Sequence, residues 1–392
     1  MAGVPMGFDR AERLSNLPPY LFAEIDRKKK AAIAAGRDVI NLGIGDPDTP
    51  TPAFIIEEMC RAAHDARNHQ YALDAGLPEF RRAVAHWYRR RFGVTLDADT
   101  EVLPTIGSKE AIAHFPLAVL NPGDVALVPE PGYPPYRSGA IFAGAEVHLM
   151  PLTAQNGFLP DLDAIPPRVL DRAKLITVNY PNNPTAAVAT ADFYVRLVAF
   201  AKRHGLIVAS DAAYTEIYYD ERPMSFLETP GARDVGIEFH SLSKTFNMTG
   251  WRVAFAVGNA ELVSHLGRLK TNLDSGIFQA IQFAGVKALE RVDEVTPVLL
   301  GMYRARRDAL VDGLEKAGWN VTPPPATFYV WMPTPKRLPS TEVATRLLEE
   351  TDIVVTPGVG FGPSGEGFVR AALTVTEERL REAADRIAKL TF

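Results

Sequence analysis

The rhythm of apolar residues between Glu101 and Val257 constrains this chain more than any other feature. Seven short runs, Glu101–Pro104, Val125–Val128, Val147–Met150, Leu175–Val178, Leu206–Ala209, Ile237–Phe239 and Val253–Val257, alternate with stretches of helical period. A strand apolar on successive residues is covered on both faces, and strand-then-helix alternation builds a mainly parallel sheet. The expected fold class is α/β: a mainly parallel seven-stranded sheet with helices on both faces. Helices are also expected over 53–66, 78–92 and 296–317. The tail has another order: strand Thr327–Met332, helix 341–350, strands Ile353–Val355 and Phe368–Leu373, helix 376–389, a smaller α+β arrangement. A helix from about Pro19 to Ala35, stopped by Gly36, and a strand Val39–Leu42 precede the sheet and are expected to pack on this tail. The chain then divides into a large domain, 46–287, and a small discontinuous one, 1–45 with 288–392.

Composition narrows the partners. With 42 basic against 47 acidic residues the formal charge is -5, which offers no overall attraction for nucleic acid or acidic lipid. The Arg89-Arg90-Arg91 run reads as a solvated helix end. No stretch of about 20 apolar residues is present, and Glu24, Asp26 and Lys28-Lys29-Lys30 interrupt any leader-like segment near the start. The single cysteine, Cys60, forms neither an internal disulfide nor a cysteine-rich metal site, and the cytoplasm is the expected compartment. The eight histidines show no paired metal spacing, so no metal is expected, and His64 and His69 read as surface residues. Tyr218, Tyr219 and Phe278 read as ordinary packing.

Ligands of open α/β sheets bind beyond the carboxyl ends of the strands, so the polar residues there carry the functional reading. After the first run stands Gly107-Ser108-Lys109, a phosphate loop or a plain helix cap. Asn183 sits in Asn182-Asn183-Pro184-Thr185, a turn stiffened by proline, either catalytic or structural. Asp211 and Tyr214 follow the fifth run; a structural cap would use the acid and not need the phenol. Ser241-Leu242-Ser243-Lys244, with Arg252 eight positions beyond the lysine, offers an amine beside an anion site, although a surface-loop lysine would look the same alone.

In this order, with Arg370 in Phe368-Val369-Arg370-Ala371, these motifs resemble the fold-type I pyridoxal-phosphate enzymes, the family of aspartate aminotransferase, over nearly the whole chain. The resemblance implies pyridoxal 5'-phosphate as cofactor, with Lys244 as the Schiff-base lysine and proton shuttle, and Asp211 as partner of the pyridine nitrogen. It implies Tyr214 and Asn183 on the ring's phenolate oxygen and Tyr133 stacked on the ring. Ser108, the Lys109 backbone N–H, Ser241 and Arg252 would hold the phosphate. Arg370 would grip the substrate α-carboxylate, with Gly45 lining the pocket. Tyr71 matches a tyrosine lent to the neighbouring subunit, which implies a homodimer with active sites at the interface. Ala186 stands where the family usually has glycine, which questions the local turn.

The run Ser241–Arg252 and the segment Lys270–Gln282 resemble the LL-diaminopimelate branch of that family, with Asn272 and Ser275 near the subunit interface. This implies amino-acid and 2-oxo-acid substrates, 2-oxoglutarate as acceptor and a role in lysine biosynthesis. General aspartate or aromatic transamination, N-succinyl-diaminopimelate transamination and β-elimination share the same cofactor motifs. A ligand-sensing transcription regulator would carry a DNA-binding domain before Gly45, and no helix-turn-helix pattern is expected there. Gly360–Gly365 spells a dinucleotide fingerprint, but a strand and not a helix follows it.

Overall fold

A computed structural model describes residues 8–17, 22–72 and 75–392. Its strands are β1 (Ile40–Asn41), β2 (Val102–Thr105), β3 (Val125–Glu130), β4 (Glu146–Pro151), β5 (Ala173–Asn179), β6 (Ile207–Asp211), β7 (Gly236–Ser241), β8 (Ala254–Gly258), β9 (Tyr329–Pro333), β10 (Ile353–Val354), β11 (Thr356–Pro357) and β12 (Phe368–Ala372). Seven of them form one sheet in the order β2-β8-β7-β6-β5-β3-β4. Every pair is parallel except those of β8, which runs antiparallel to both β2 and β7. The α/β architecture expected from the apolar runs is the one adopted, as a mixed sheet.

Side chains alternate across a strand, and the core divides accordingly. Val125, Leu127, Ile176, Val178, Val208 and Val257 belong to one buried cluster, whereas Ala126, Val128, Leu175, Ala209, Ile237 and Ala256 belong to the other. Helices cover both clusters. The helix Pro78–Phe92 starts on proline and ends at Gly93 in the left-handed conformation (φ 69). In its basic end Arg91 is not merely solvated: its Nε donates to the buried Glu216 at 2.7 Å. Phe278, expected to pack, is 40% exposed.

The tail forms a three-stranded antiparallel sheet, β11-β12-β9, and β10 pairs with β1 in parallel. The helix Phe22–Ala34 lies against this part, where Ala32 shares a buried cluster with Leu348 and Val354. The expected start of that helix at Pro19 lies outside the described residues. Gly360–Gly365 makes two short turns leading into β12, and no helix opens at the third glycine. Among the described residues no helix is long and apolar enough to cross a membrane.

On the face of the sheet away from Asp211, Glu238 is completely buried. It accepts hydrogen bonds from Ser225 Oγ at 2.5 Å, Tyr88 Oη at 2.8 Å, the Phe226 N–H at 2.9 Å and Ser210 Oγ at 3.1 Å, and lies 3.2 Å from His240 Nε2. Burial opposes its charge, but the bonds from His240, Ser225 and Tyr88 outweigh burial and hold its pKa below the usual glutamate value. Removing the carboxylate would strand several buried donors at once. Glu238→Ala is expected to lower the unfolding free energy by about 3–5 kcal/mol in urea titration; a loss below about 1 kcal/mol would show that the donors find other partners.

Candidate active site

The parallel register of β5, β6 and β7 sets their carboxyl ends side by side, with Asn179 opposite Asp211 and Asp211 opposite Phe239. The reversed strand β8 begins where its neighbours end: Ala254 pairs with Thr105 of β2 and with Ser241 of β7. Arg252, just ahead of β8, is therefore delivered to the ends of both. Its guanidinium lies where a side chain on Gly107 would be, since a Cβ there would collide with Arg252 Nη2. A φ of 82° favours glycine at 107, and the absence of a side chain leaves room for this guanidinium. The helix Ser108–Val119 starts at the same place, with its first N–H groups unpaired within the helix. Ser108, Lys109, Ser241 and Arg252 line a cleft of about 1320 Å³, and with Gly107 they make a cradle whose helix N–H groups and guanidinium suit an anion.

Asp211 lies in the floor of the cleft, 5% exposed. Its Oδ2 accepts from Tyr136 Oη at 2.6 Å and its Oδ1 from the Ala213 N–H at 3.1 Å. Burial pushes its pKa up to about 6 against those two bonds, and no cation among the described residues pairs with it. Lys244 Nζ donates to the Gly45 carbonyl at 2.8 Å and sits 5.5 Å from the centre of the Phe328 ring. Burial lowers its pKa to about 8; Asp46 opposes the shift, and Arg370 and Arg252 add to it. A lysine in this range is a competent base near neutral pH.

Arg370 projects from β12, the central strand of the small sheet, and is 4% exposed. Its Nη1 donates to Asn183 Oδ1 at 2.8 Å and its Nη2 to the Gly43 carbonyl at 2.9 Å. Its Cζ lies 4.1 Å from the centre of the Tyr329 ring and 4.7 Å from that of Phe361. Its Nε is buried without a hydrogen-bond partner, a donor awaiting an acceptor. Gly45, Tyr133, Asn183 and Tyr214 line the same cleft. With Oδ1 committed to Arg370, Asn183 keeps its Nδ2 donors for another acceptor. Tyr71 does not join them within its own chain: it is 84% exposed and stands outside the cleft lining.

Residues 37–387 match the family described as aminotransferase class I and II. The chain belongs to that family. This aminotransferase is similar to the LL-diaminopimelate aminotransferase of Syntrophobacter fumaroxidans, 55% identical over 99% of this chain and 100% of the relative. It is 57% identical to that of Maridesulfovibrio salexigens, over 98% of this chain and 99% of the relative. Among solved structures, substrate-bound BacF from Bacillus subtilis superposes with a TM-score of 0.95 at 41% identity, covering 98% of this chain and 99% of that one.

Several residues of the aminotransferase cleft carry no motif. Tyr136, the partner of Asp211, follows Tyr133 by three positions at a helix start, and that spacing is its sole signal in the sequence. Asn179 holds the floor together, donating from Nδ2 to the Asp211 carbonyl at 2.9 Å and accepting from the Asn183 N–H at 2.8 Å. Ala186 adopts the left-handed conformation (φ 62), completely buried, with its N–H donating to the Asn182 carbonyl at 2.8 Å. The turn therefore keeps a glycine-like geometry with alanine in it.

Two outcomes check this reading. In Ala186→Gly, relief of left-handed strain offsets lost burial and backbone freedom, so stability should move by no more than about 1 kcal/mol. Ala186→Val should cost more than about 2 kcal/mol, because a β-branched residue at positive φ is both strained and overpacked. Acylation of Lys244 by a small amine-directed reagent, in protein freed of any carbonyl ligand and followed by peptide mapping, should be half-maximal near pH 8. Exposed lysines should react half-maximally near about pH 10, and a Lys244 profile coinciding with theirs would show that its amine is fully solvated.

Proposed function

We propose that this aminotransferase uses pyridoxal 5'-phosphate to transfer an amino group from LL-diaminopimelate to 2-oxoglutarate. The observation that carries the reading is the set of unmet valences in the cleft that Lys244 also lines: the Arg370 Nε without an acceptor and the Asp211 carboxylate without a cation. A molecule with a cationic ring nitrogen and a phosphate, beside a substrate carboxylate, meets them together with the Gly107 cradle.

In this reading Ser108, the Lys109 N–H, Ser241 and Arg252 hold the phosphate. Asp211 would pair with the ring nitrogen, and a cation there would pull the Asp211 pKa back down. Asn183 and Tyr214 would donate to the phenolate oxygen, Tyr133 would stack on the ring, and Lys244 would be the attachment point. When bound, the cofactor supplies an electron sink for the pair left on the substrate α-carbon as its proton departs. Arg370 fixes the α-carboxylate as a charge-assisted fork, so that the α-hydrogen is presented to Lys244. The Lys244 Nζ, neutral above about pH 8, accepts that proton and can return it.

LL-diaminopimelate as donor rests on the names of the relatives at 55% and 57% identity, and lysine biosynthesis follows from it. The exposure of Tyr71, with that of Phe278 and Leu273, suits a homodimer in which Tyr71 would complete a second copy's phosphate site. The division into a cofactor-binding domain, 46–287, and a small domain, 1–45 with 288–392, and a cytoplasmic setting belong to the same reading.

The deciding experiment is a visible spectrum of the purified protein followed by a substrate panel. Glutamate should form from LL-diaminopimelate and 2-oxoglutarate; its absence while aspartate or an aromatic amino acid reacts would refute the substrate. Lys244→Ala should lose both the visible absorbance of lysine-held cofactor and turnover, and retention of both would refute the assignment of Lys244. Arg370→Lys should raise KM about 10- to 100-fold, because one ammonium cannot reproduce the fork.

A further inference from the structure

Tyr329 has no part in the roles above, yet it touches three of the groups that do. The β9–β12 register sets Tyr329 opposite Ala372 and Trp331 opposite Arg370, so Tyr329 and Arg370 share one face of the small sheet as diagonal neighbours. The Arg370 guanidinium carbon lies 4.1 Å from the centre of the Tyr329 ring. Tyr329 Oη lies 2.9 Å from Tyr214 Oη. The same hydroxyl occupies the space that a side chain on Gly45 would need, and the Gly45 carbonyl is the acceptor for Lys244 Nζ. Tyr329 is 3% exposed, which leaves its ring little freedom.

A phenol carries one proton. If Tyr214 spent its proton on Tyr329, it would present only lone pairs to the cleft, where an anionic ring oxygen needs a donor. Neither hydroxyl has another hydrogen-bond partner among the described residues, and either could donate across this contact; once Tyr214 spends its proton on an acceptor in the cleft, the proton between the two oxygens is that of Tyr329. We infer that Tyr329 is a positioning residue: its hydroxyl donates to Tyr214 Oη, which turns the Tyr214 proton toward the cofactor, while its ring holds the Arg370 fork for the substrate carboxylate. Tyr214 stays protonated, since burial and the neighbouring Tyr329 raise its pKa while Arg370 opposes them. The other titratable groups around the pair are Tyr133, beside Tyr214, and Tyr303, beside Tyr329.

The inference rests on the proposed cofactor, and the test separates the two. Wild-type, Tyr329→Phe and Tyr329→Leu are prepared as holoenzymes, and the pH dependence of the visible band is recorded alongside kcat and KM for LL-diaminopimelate. Tyr329→Phe removes only the hydroxyl and keeps the ring, so folding is preserved. It should shift the spectral transition upward by at least about half a pH unit, because a weaker donor favours protonation of the phenolate oxygen. Its kcat should fall about 3- to 10-fold with KM within about twofold. Tyr329→Leu should show the same spectral shift and a KM raised at least about 10-fold, from loss of the ring beneath Arg370. A Tyr329→Phe transition that overlays wild type, or an unchanged KM in a folded Tyr329→Leu protein, overturns the role of Tyr329. A wild-type protein that develops no visible band with added pyridoxal phosphate refutes the cofactor reading instead.

Discussion

One strand running the wrong way organises this molecule. Had β8 joined the large sheet in parallel, its first residue would lie at the opposite edge from the carboxyl ends of β2 and β7. Because it is reversed, the residue before it, Arg252, arrives where Gly107 and Ser241 already stand. The eight-position step from Lys244 to Arg252 lies within the twelve-residue connection, 242–253, that leaves β7, turns through Thr249–Trp251 and re-enters as β8. A spacing that looks like a motif in the sequence is the contour of a turn.

The second organising constraint is desolvation. Asp211, Lys244 and Arg370 are charged or chargeable groups withdrawn from water into one cleft, and burial moves the acid upward and both bases downward. Their own neighbours satisfy them only in part, through Tyr136, the Gly45 carbonyl, Asn183 and Gly43. Burial costs stability at each of these groups, and the cost is recovered when ligand charges complete the pairs. The rest of the fold, including the closed hydrogen-bond set around Glu238 on the other face of the sheet, keeps that strained arrangement in place.

Much of this was legible in the sequence, for an identifiable reason. Lys244, Asp211, Asn183 and Arg252 sit at strand ends, where local chain order and spatial proximity coincide, so their spacing survives translation into one dimension. Tyr329 and Arg370 face each other across two antiparallel strands, and nothing in the local composition around Tyr329 distinguishes it from the core residues Phe328 and Val330. Tyr136 is hidden for a related reason: a tyrosine in an apolar helix reads as packing until the carboxylate it meets, 75 residues away, is placed. Ala186 shows the converse, since the missing glycine looked like a departure from the turn, yet the turn kept its left-handed φ of 62°. Tyr71, like Asn272 and Ser275, finds no place in the cleft of its own chain.

The two arginines of the cleft differ in a way that reaches beyond their shared charge. Arg370 has rings packed against its guanidinium and two of its nitrogens already bonded, so what it leaves open is the edge of a plane. Arg252 stands exposed at a turn, its Nη1 tied to the Thr249 carbonyl and its Nη2 beside Gly107 at the start of a helix. The first is shaped for a flat anion met edge to edge, the second for a tetrahedral one approached from several sides. Under the proposed function, the carboxylate goes to Arg370 and the phosphate to Arg252, and the difference in shape between the two sites would leave the pair of groups one way round to lie.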